Sequence, residues 1–420
     1  MEPTAQEQLM LELVNRARLD PAGEAKMFGI DLNKGLGKGT IKATPKQPLA
    51  MNMDLLEAAR AHSAWMLDKD VFSHTGVGGS SAGDRMADAG YVFTGNWAWG
   101  ENIAWQGTTG SLNLTSYIVD QHKALFKSPG HRENILDGDF REIGVGQIQG
   151  DFKGYNASMV SQEYAASGNA MRFVTGVMYD DKDGNDFYSV GEGKGGIAVS
   201  LGGTTTASMS AGGYQVKAPT GLVTVTFDGD IVFKVDTKQG NAKVDLVDGS
   251  TLESSASLTI VDGIQHARLL GIAKTNLTGG NDDDRLDGNA GKNKMWGNGG
   301  DDTLNGGRGR DKLFGDNGDD KLVGNGGKDK LLGGAGDDIL KGGNGRDTFV
   351  FKQDVGDDRV LGFKTGKDRL DFRDIFGSAK KALAAADTDH GNTVFDLPGG
   401  DHVTLKGVKA SSLSRSEERR

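Results

Sequence analysis

Apolar residues near the start of the chain recur at helical spacing. Thr4-x-x-Glu7 reads as a capping box ahead of Leu9, Met10, Leu13, Val14 and Ala17, which predicts a first helix. Asn52 can cap a second helix with Leu55, Ala59, His62 and Met66 on one stripe, and His62 there reads as a core histidine. A third helix is predicted over about 114–127, carrying Ile118, Gln121 and Leu125, and Ser128-Pro129 restarts the helix. The period then shortens to two, which predicts strands at 142–148, 157–163 and 171–178. Helices packed on an antiparallel sheet make this part α+β. Short alternating runs with glycine turns follow and read as a small β-sandwich over 194–278.

From Gly279 the period changes to nine. The chain reads GGNDDDRLD, GNAGKNKMW, GNGGDDTLN, GGRGRDKLF, GDNGDDKLV, GNGGKDKLL, GGAGDDILK and GGNGRDTFV, eight copies without insertion. Position six is Asp284, Asn293, Asp302, Asp311, Asp320, Asp329, Asp338 and Asp347. Position eight is Leu286, Met295, Leu304, Leu313, Leu322, Leu331, Leu340 and Phe349. Each repeat thus offers one inward apolar residue and one oxygen donor at fixed phase. Glycines allow the tight turns that aim carbonyl oxygens inward. Calcium takes six to eight oxygens, and stacked turns of this kind supply them. A flexible Gly/Asp linker has no reason to keep eight in-phase apolar positions. Asn293 is a neutral donor, so its site is expected to be weaker.

The formal net charge is −10, which argues against a nucleic-acid partner and suits cation binding. The absence of cysteine excludes disulfides and thiolate chemistry. The N-terminus MEPTAQEQLMLEL has neither a basic nor an apolar signal region, and no run is long enough for a transmembrane helix.

The nonapeptide resembles the repeat of RTX proteins, a parallel β-roll. That resemblance implies ions between a turn and the turn two repeats on, about six of them for eight repeats. Without calcium, the aspartates repel and the inward residues are too few to offset the entropy of so much glycine. Residues 351–420 resemble the C-terminal β cap of RTX exoproteins, which implies an uncleaved type I secretion signal and a type I secretion apparatus as partner. The charged ending SSLSRSEERR departs from the apolar family tail. The zinc-protease motif HExxH of serralysin-type relatives is absent from the sequence.

A second resemblance lies in AARAHSAWM…FSHT (58–75), GENIAWQG (100–107) and LFKSPGHRENIL…FREIGVGQ (125–147). This series looks like the bacterial branch of the CAP superfamily of cysteine-rich secretory, antigen 5 and pathogenesis-related proteins. It implies an α-β-α sandwich over 1–179, with His74, Glu101 and His131 in a cleft. Two imidazoles and a carboxylate could hold zinc or a similar divalent metal, or they could hydrogen-bond the loops around a cleft for an unknown ligand. The family's second glutamate would fall near Ser128, and its GHYTQ strand reads IGVGQ here.

Residues 180–193 form a linker in which Asp181, Asp183, Asn185 and Glu192 have the oxygen spacing of a calcium loop. Its glycine stands at position four rather than six, so the loop is EF-hand-like only. The order G-I-x-V-x-L, GGYQV, GLVTVTF in the middle segment resembles carboxypeptidase-regulatory-like or transthyretin-like modules. The expected chain is therefore multidomain: 1–179, 180–193, 194–278, the roll at 279–350 and a cap at 351–420. A secreted calcium-binding protein with a ligand-binding CAP cleft is the leading expectation. A secreted hydrolase using that cleft and an adhesive surface protein are the alternatives.

Overall fold

The capping box forms. The Thr4 hydroxyl accepts from the Glu7 amide at 3.2 Å, and the Glu7 carboxylate accepts from the Thr4 amide at 2.7 Å. Two donors that a helix start leaves unpaired are thereby satisfied. Helix α1 (Ala5–Leu19) then buries Leu9, Met10, Leu13, Val14 and Ala17, and α2 (Pro21–Met27) follows. After β1 (Ala50–Met51), Asn52 caps α3 (Met53–Asp68) through the amides of Asp54 and Leu55. Next come α4 (Ala82–Asp88), β2 (Ala98–Thr108), α5 (Leu114–Lys127) and α6 (Pro129–Ile135), the last restarted at Pro129 as the sequence predicts. The computed structural model describes residues 1–168, 172–352 and 356–414. The last six residues of the charged tail, on which the export expectation rests, lie outside them.

Strands β3 (Glu142–Phe152) and β4 (Tyr155–Ala166) form a hairpin. Its turn residues Lys153 and Gly154 have φ of 52° and 79°, the left-handed pair that a twisted two-residue hairpin turn needs. The sheet order is β1-β3-β4-β2. Gly144 and Gly146 explain the IGVGQ segment. A Cβ on either would lie 2.0 Å and 2.3 Å from the backbone of α3, so the helix rests directly on β3.

The third expected strand forms as β5 (Arg172–Tyr179) but leaves this sheet. It pairs in parallel with Ala242–Val247 and antiparallel with Gly213–Ala218. Of the segment expected as a small sandwich, Ala198–Leu201, Thr204–Ala207 and Leu222–Phe227 are antiparallel neighbours. The strands from Thr251 to Thr278 instead pair in parallel and lead into the repeats. The chain divides into two units, residues 1–229 with 235–249, and 230–234 with 250–420.

The second unit is built on a parallel β-solenoid. Arg285 pairs with Thr303, Thr303 with Lys321, and Lys294 with Lys312, so each strand meets the strand two repeats on. All eight position-eight side chains, Leu286 through Phe349, are fully buried. The coils before the repeats extend the same core with Leu252, Leu258, Ala267 and Leu277. Phe351, Phe372 and Phe395 close its far end, with successive ring centroids 4.8 Å apart.

Candidate functional site

The position-six aspartates point into the turns and are buried. From Asp302 on, one oxygen of each accepts a backbone amide from two repeats earlier: the amide of Asp284 donates to Asp302 at 2.7 Å, that of Asn293 to Asp311 at 2.9 Å and that of Asp302 to Asp320 at 2.8 Å. The series runs on through Asp329, Asp338 and Asp347. The other oxygen, Oδ2, of Asp302, Asp311, Asp320, Asp329, Asp338 and Asp347 is buried without a hydrogen-bond partner. Such an oxygen costs several kcal/mol unless a cation meets it. The turn glycines keep the space beside it open. A Cβ on Gly297 would lie 2.0 Å from Asp302 Oδ2 and 2.6 Å from the Gly315 carbonyl oxygen, so carboxylate and carbonyl face one gap. Burial, with neighbouring like charges, pushes Asp302, Asp320 and Asp338 up to about 7.

The two ends of this ladder differ from its middle. Asp284 Oδ2 accepts the Gly280 amide at 2.5 Å. Asn293 donates its side-chain amide to the Thr275 carbonyl at 2.8 Å and accepts from the Asn289 amide at 3.0 Å, so it is satisfied by the protein itself. At the far end, Asp338 and Asp347 donate their amides to Asp358 and Asp368 at 3.0 Å and 3.1 Å. Sequence reasoning missed these two because the spacing lengthens to 20 and 21 residues. The signal was present: Asp358-Arg359-Val360 and Asp368-Arg369-Leu370 keep the Asp-x-apolar core of the repeat.

In the first unit, β2 presents Glu101 directly opposite Glu163 of β4. His74 Nδ1 donates to Glu101 Oε2 at 2.6 Å, and the Arg85 guanidinium of α4 pairs with Glu101 Oε1. Arg85 also lies 3.7 Å from Glu163, whose buried oxygens find no hydrogen-bond donor. Burial and the neighbouring Glu101 charge push the Glu163 carboxyl well above its ordinary value. Burial opposes ionisation of Glu101 too, but the His74 hydrogen bond and the Arg85 charge outweigh it and hold that group below its ordinary value. His62 Nε2 stands 3.5 Å from Glu101 and 2.9 Å from the Ser73 carbonyl, so this core histidine is also a wall of the cleft. His131 is half-buried on α6, and burial lowers its pKa. Beside the cluster lies a cavity of about 350 Å³ lined by His62, Trp65, Val77 and Arg85.

Residues 11–164 match the model of the cysteine-rich secretory protein (CAP) family, and residues 278–313 and 314–349 each match the RTX calcium-binding nonapeptide repeat model. The chain thus carries a CAP domain and, separately, RTX calcium-binding nonapeptide repeats. It is 35% identical over 103 residues to the uncharacterized protein YkwD of Bacillus subtilis, covering 24% of this chain and 36% of that protein. An extracellular SCP-domain protein of Bacillus anthracis is 26% identical with a TM-score of 0.22, covering 28% of this chain and 34% of the other. The AlgE6R3 subunit of the Azotobacter vinelandii mannuronan C5-epimerase is 27% identical with a TM-score of 0.17, covering 33% and 78%. The chain thus spans about a third of the length of the two Bacillus proteins.

In the CAP cleft, His74, Glu101 and His131 do not bring three ligand atoms within 4.8 Å of one another. Both Glu101 oxygens are engaged, by His74 and by Arg85. Among the described residues, ligand atoms of three such side chains come within 4.8 Å of one another only at Asp181, Asp183 and Glu192. A second glutamate does face Glu101, but it is Glu163 of β4, a position that alternation along SQEYAA could have flagged. In the 180–193 loop, buried Glu192 accepts the amides of Lys182 at 2.9 Å and Ser189 at 2.7 Å. Asn185 accepts the Phe187 amide at 2.7 Å and stands outside the three-carboxylate group. No helix is long and apolar enough to cross a membrane among the described residues.

Proposed function

We propose that this protein is secreted, that its roll completes folding on calcium outside the cell, and that its CAP cleft binds a small amphipathic ligand. The six unpartnered Oδ2 atoms from Asp302 to Asp347 carry the first part. They match the about six ions expected from eight stacked repeats, with Asp284 and Asn293 closing the near end through hydrogen bonds. Extracellular calcium modules bind at roughly 10⁻⁴ to 10⁻³ M, so the roll stays loose in cytosol and sets outside. Far-UV circular dichroism of the full chain should gain β signal across that range, with about six ions bound at saturation. An unchanged spectrum would sink the reading. Asp181, Asp183 and Glu192 form a further candidate calcium loop.

Export through a type I secretion apparatus belongs to the same proposal. Deleting about 60 C-terminal residues, roughly the cap after the repeats, should leave the protein inside the cell; undiminished export would exclude that route.

For the cleft, we propose Arg85 as the resident cation in place of zinc. A ligand would set its apolar body against Trp65 and Val77 and its polar end toward His62 and Arg85. One observation favours the hydrolase alternative: Glu101 holds His74 through Nδ1, which leaves Nε2 of this exposed ring as a base. A hydrolytic activity lost in His74→Ala would establish it.

A further inference from the structure

Position five of the repeat alternates in sign. The odd repeats carry Asp283, Asp301, Asp319 and Asp337, and the even repeats carry Lys292, Arg310, Lys328 and Arg346. One coil takes two repeats, so odd turns line one edge of the roll and even turns the other. Each set therefore stacks into a straight row with the spacing of parallel strands, about 4.8 Å. All eight side chains are exposed. The acidic row is held in line: the amides of Asp301, Asp319 and Asp337 donate to the carboxylates of Asp283, Asp301 and Asp319 at 2.7, 2.8 and 2.8 Å. The basic row runs along paired turn strands at Arg308–Gly309, Gly326–Gly327 and Asn344–Gly345. Among the described residues its four cations make no ion pair. Stacked like charges repel, so each edge has a standing electrostatic demand that the other edge has the charge and the period to meet.

We infer that the calcium-loaded roll associates edge to edge with a second copy of this chain, basic row against acidic row. The two surfaces belong to different edges of one molecule, so the contact is heterologous. The pair keeps one free row of each sign, one on each copy, and association continues into open arrays. A single exposed ion pair contributes little and is screened by salt. A row of four in common register gives many weak contacts that form or fail together. Assembly then requires calcium, because only the folded roll aligns the rows. Low salt strengthens it, the opposite of what an overall charge of −10 would do to a protein without such edges.

Sedimentation velocity of the full chain in millimolar calcium tests this. At about 20 mM salt the average mass should rise with concentration to twice the monomer or more, and at about 500 mM it should return to monomer. Reversing the basic row (Lys292→Glu, Arg310→Glu, Lys328→Glu, Arg346→Glu) should abolish association, with the calcium-induced dichroism change retained as the folding control. Reversing the acidic row to lysine should do the same, and an equimolar mixture of the two variants should associate again. Wild-type protein that stays monomeric at low salt overturns the inference without recourse to any variant. So does a monomer that is retained on an immobilised acidic polysaccharide through the same row, which would assign the basic edge to a polyanion.

Discussion

Glu101 and Glu163 face each other across two strands with one guanidinium between them, and their surroundings push the two carboxyls in opposite directions. Burial favours the neutral form of Glu163, the form that glutamine mimics. Glu163→Gln should therefore change the stability of the first unit by no more than about 1 kcal/mol. Glu101→Gln leaves buried Arg85 without its main partner and should cost about 3–5 kcal/mol. Urea denaturation of the two variants measures the contrast, and equal losses would mean that both carboxylates are ionised. His74 reports the same charge from the solvent side. Its hydrogen bond to Glu101 raises its pKa above the ordinary histidine value. That stabilisation is present in full below about pH 6.5 and fades as pH rises through the folded-state value. The His74 ring resonance should titrate above the ordinary midpoint in the wild type and fall back in Glu101→Gln.

At the scale of elements, the roll is where sequence and structure agree most closely, because a nine-residue period fixes strand, turn and ligand at once. The helices were legible for the same kind of reason: Thr4 with Glu7, Asn52 and Pro129 are local signals that act on their own neighbours. Pairing partners were not legible. β5 has the alternation of a sheet strand, but nothing within it says that Ala242–Val247 rather than β4 will lie beside it. The cleft was half legible. His74, Glu101 and His131 stand in spaced motifs, whereas Arg85 and Glu163 join them only through the register of β2 with β4 and the seat of α4. The roll also yields a pH prediction. Its aspartates rise in the folded calcium-free state, to about 7 at Asp329 and about 6 at Asp311, because burial disfavours their charge. Groups raised on folding hold protons that the unfolded chain releases near pH 4, so the calcium-free roll loses stability as pH climbs from about 4 through 7. Calcium must displace those protons at low pH. The calcium midpoint at pH 6 should be about tenfold higher than at pH 7.5 for each such proton released per ion. A midpoint that does not move with pH would show that the aspartates are ionised before calcium arrives.

At the scale of the molecule, the boundary of the first unit is set by a buried charge. Lys243, on the strand beside β5, pairs with Glu12 of α1 at 2.9 Å and with Asp245, and all three are buried. Asp245 also accepts the Val177 amide of β5 at 2.8 Å, and Glu12 accepts from Gln8 at 2.8 Å. The CAP helix α1 thus depends on a residue that lies beyond both the 1–179 boundary drawn from sequence and the family match ending at residue 164. A fragment ending at 179 keeps Glu12 but loses its cation, and keeps β5 but loses both neighbouring strands. A fragment ending at 249 keeps all of them. The longer fragment should fold cooperatively without the calcium that the roll requires, since the turn aspartates lie beyond it. The shorter one should be less stable by at least the about 3–5 kcal/mol that an orphaned buried charge costs. Changing Glu12 to Gln should recover part of that loss in the short fragment and destabilise the long one. A sign reversal of that kind cannot come from helix propensity, which is the same in both fragments. If Glu12→Gln moves the two fragments in the same direction, Lys243 is not what joins α1 to the second sheet.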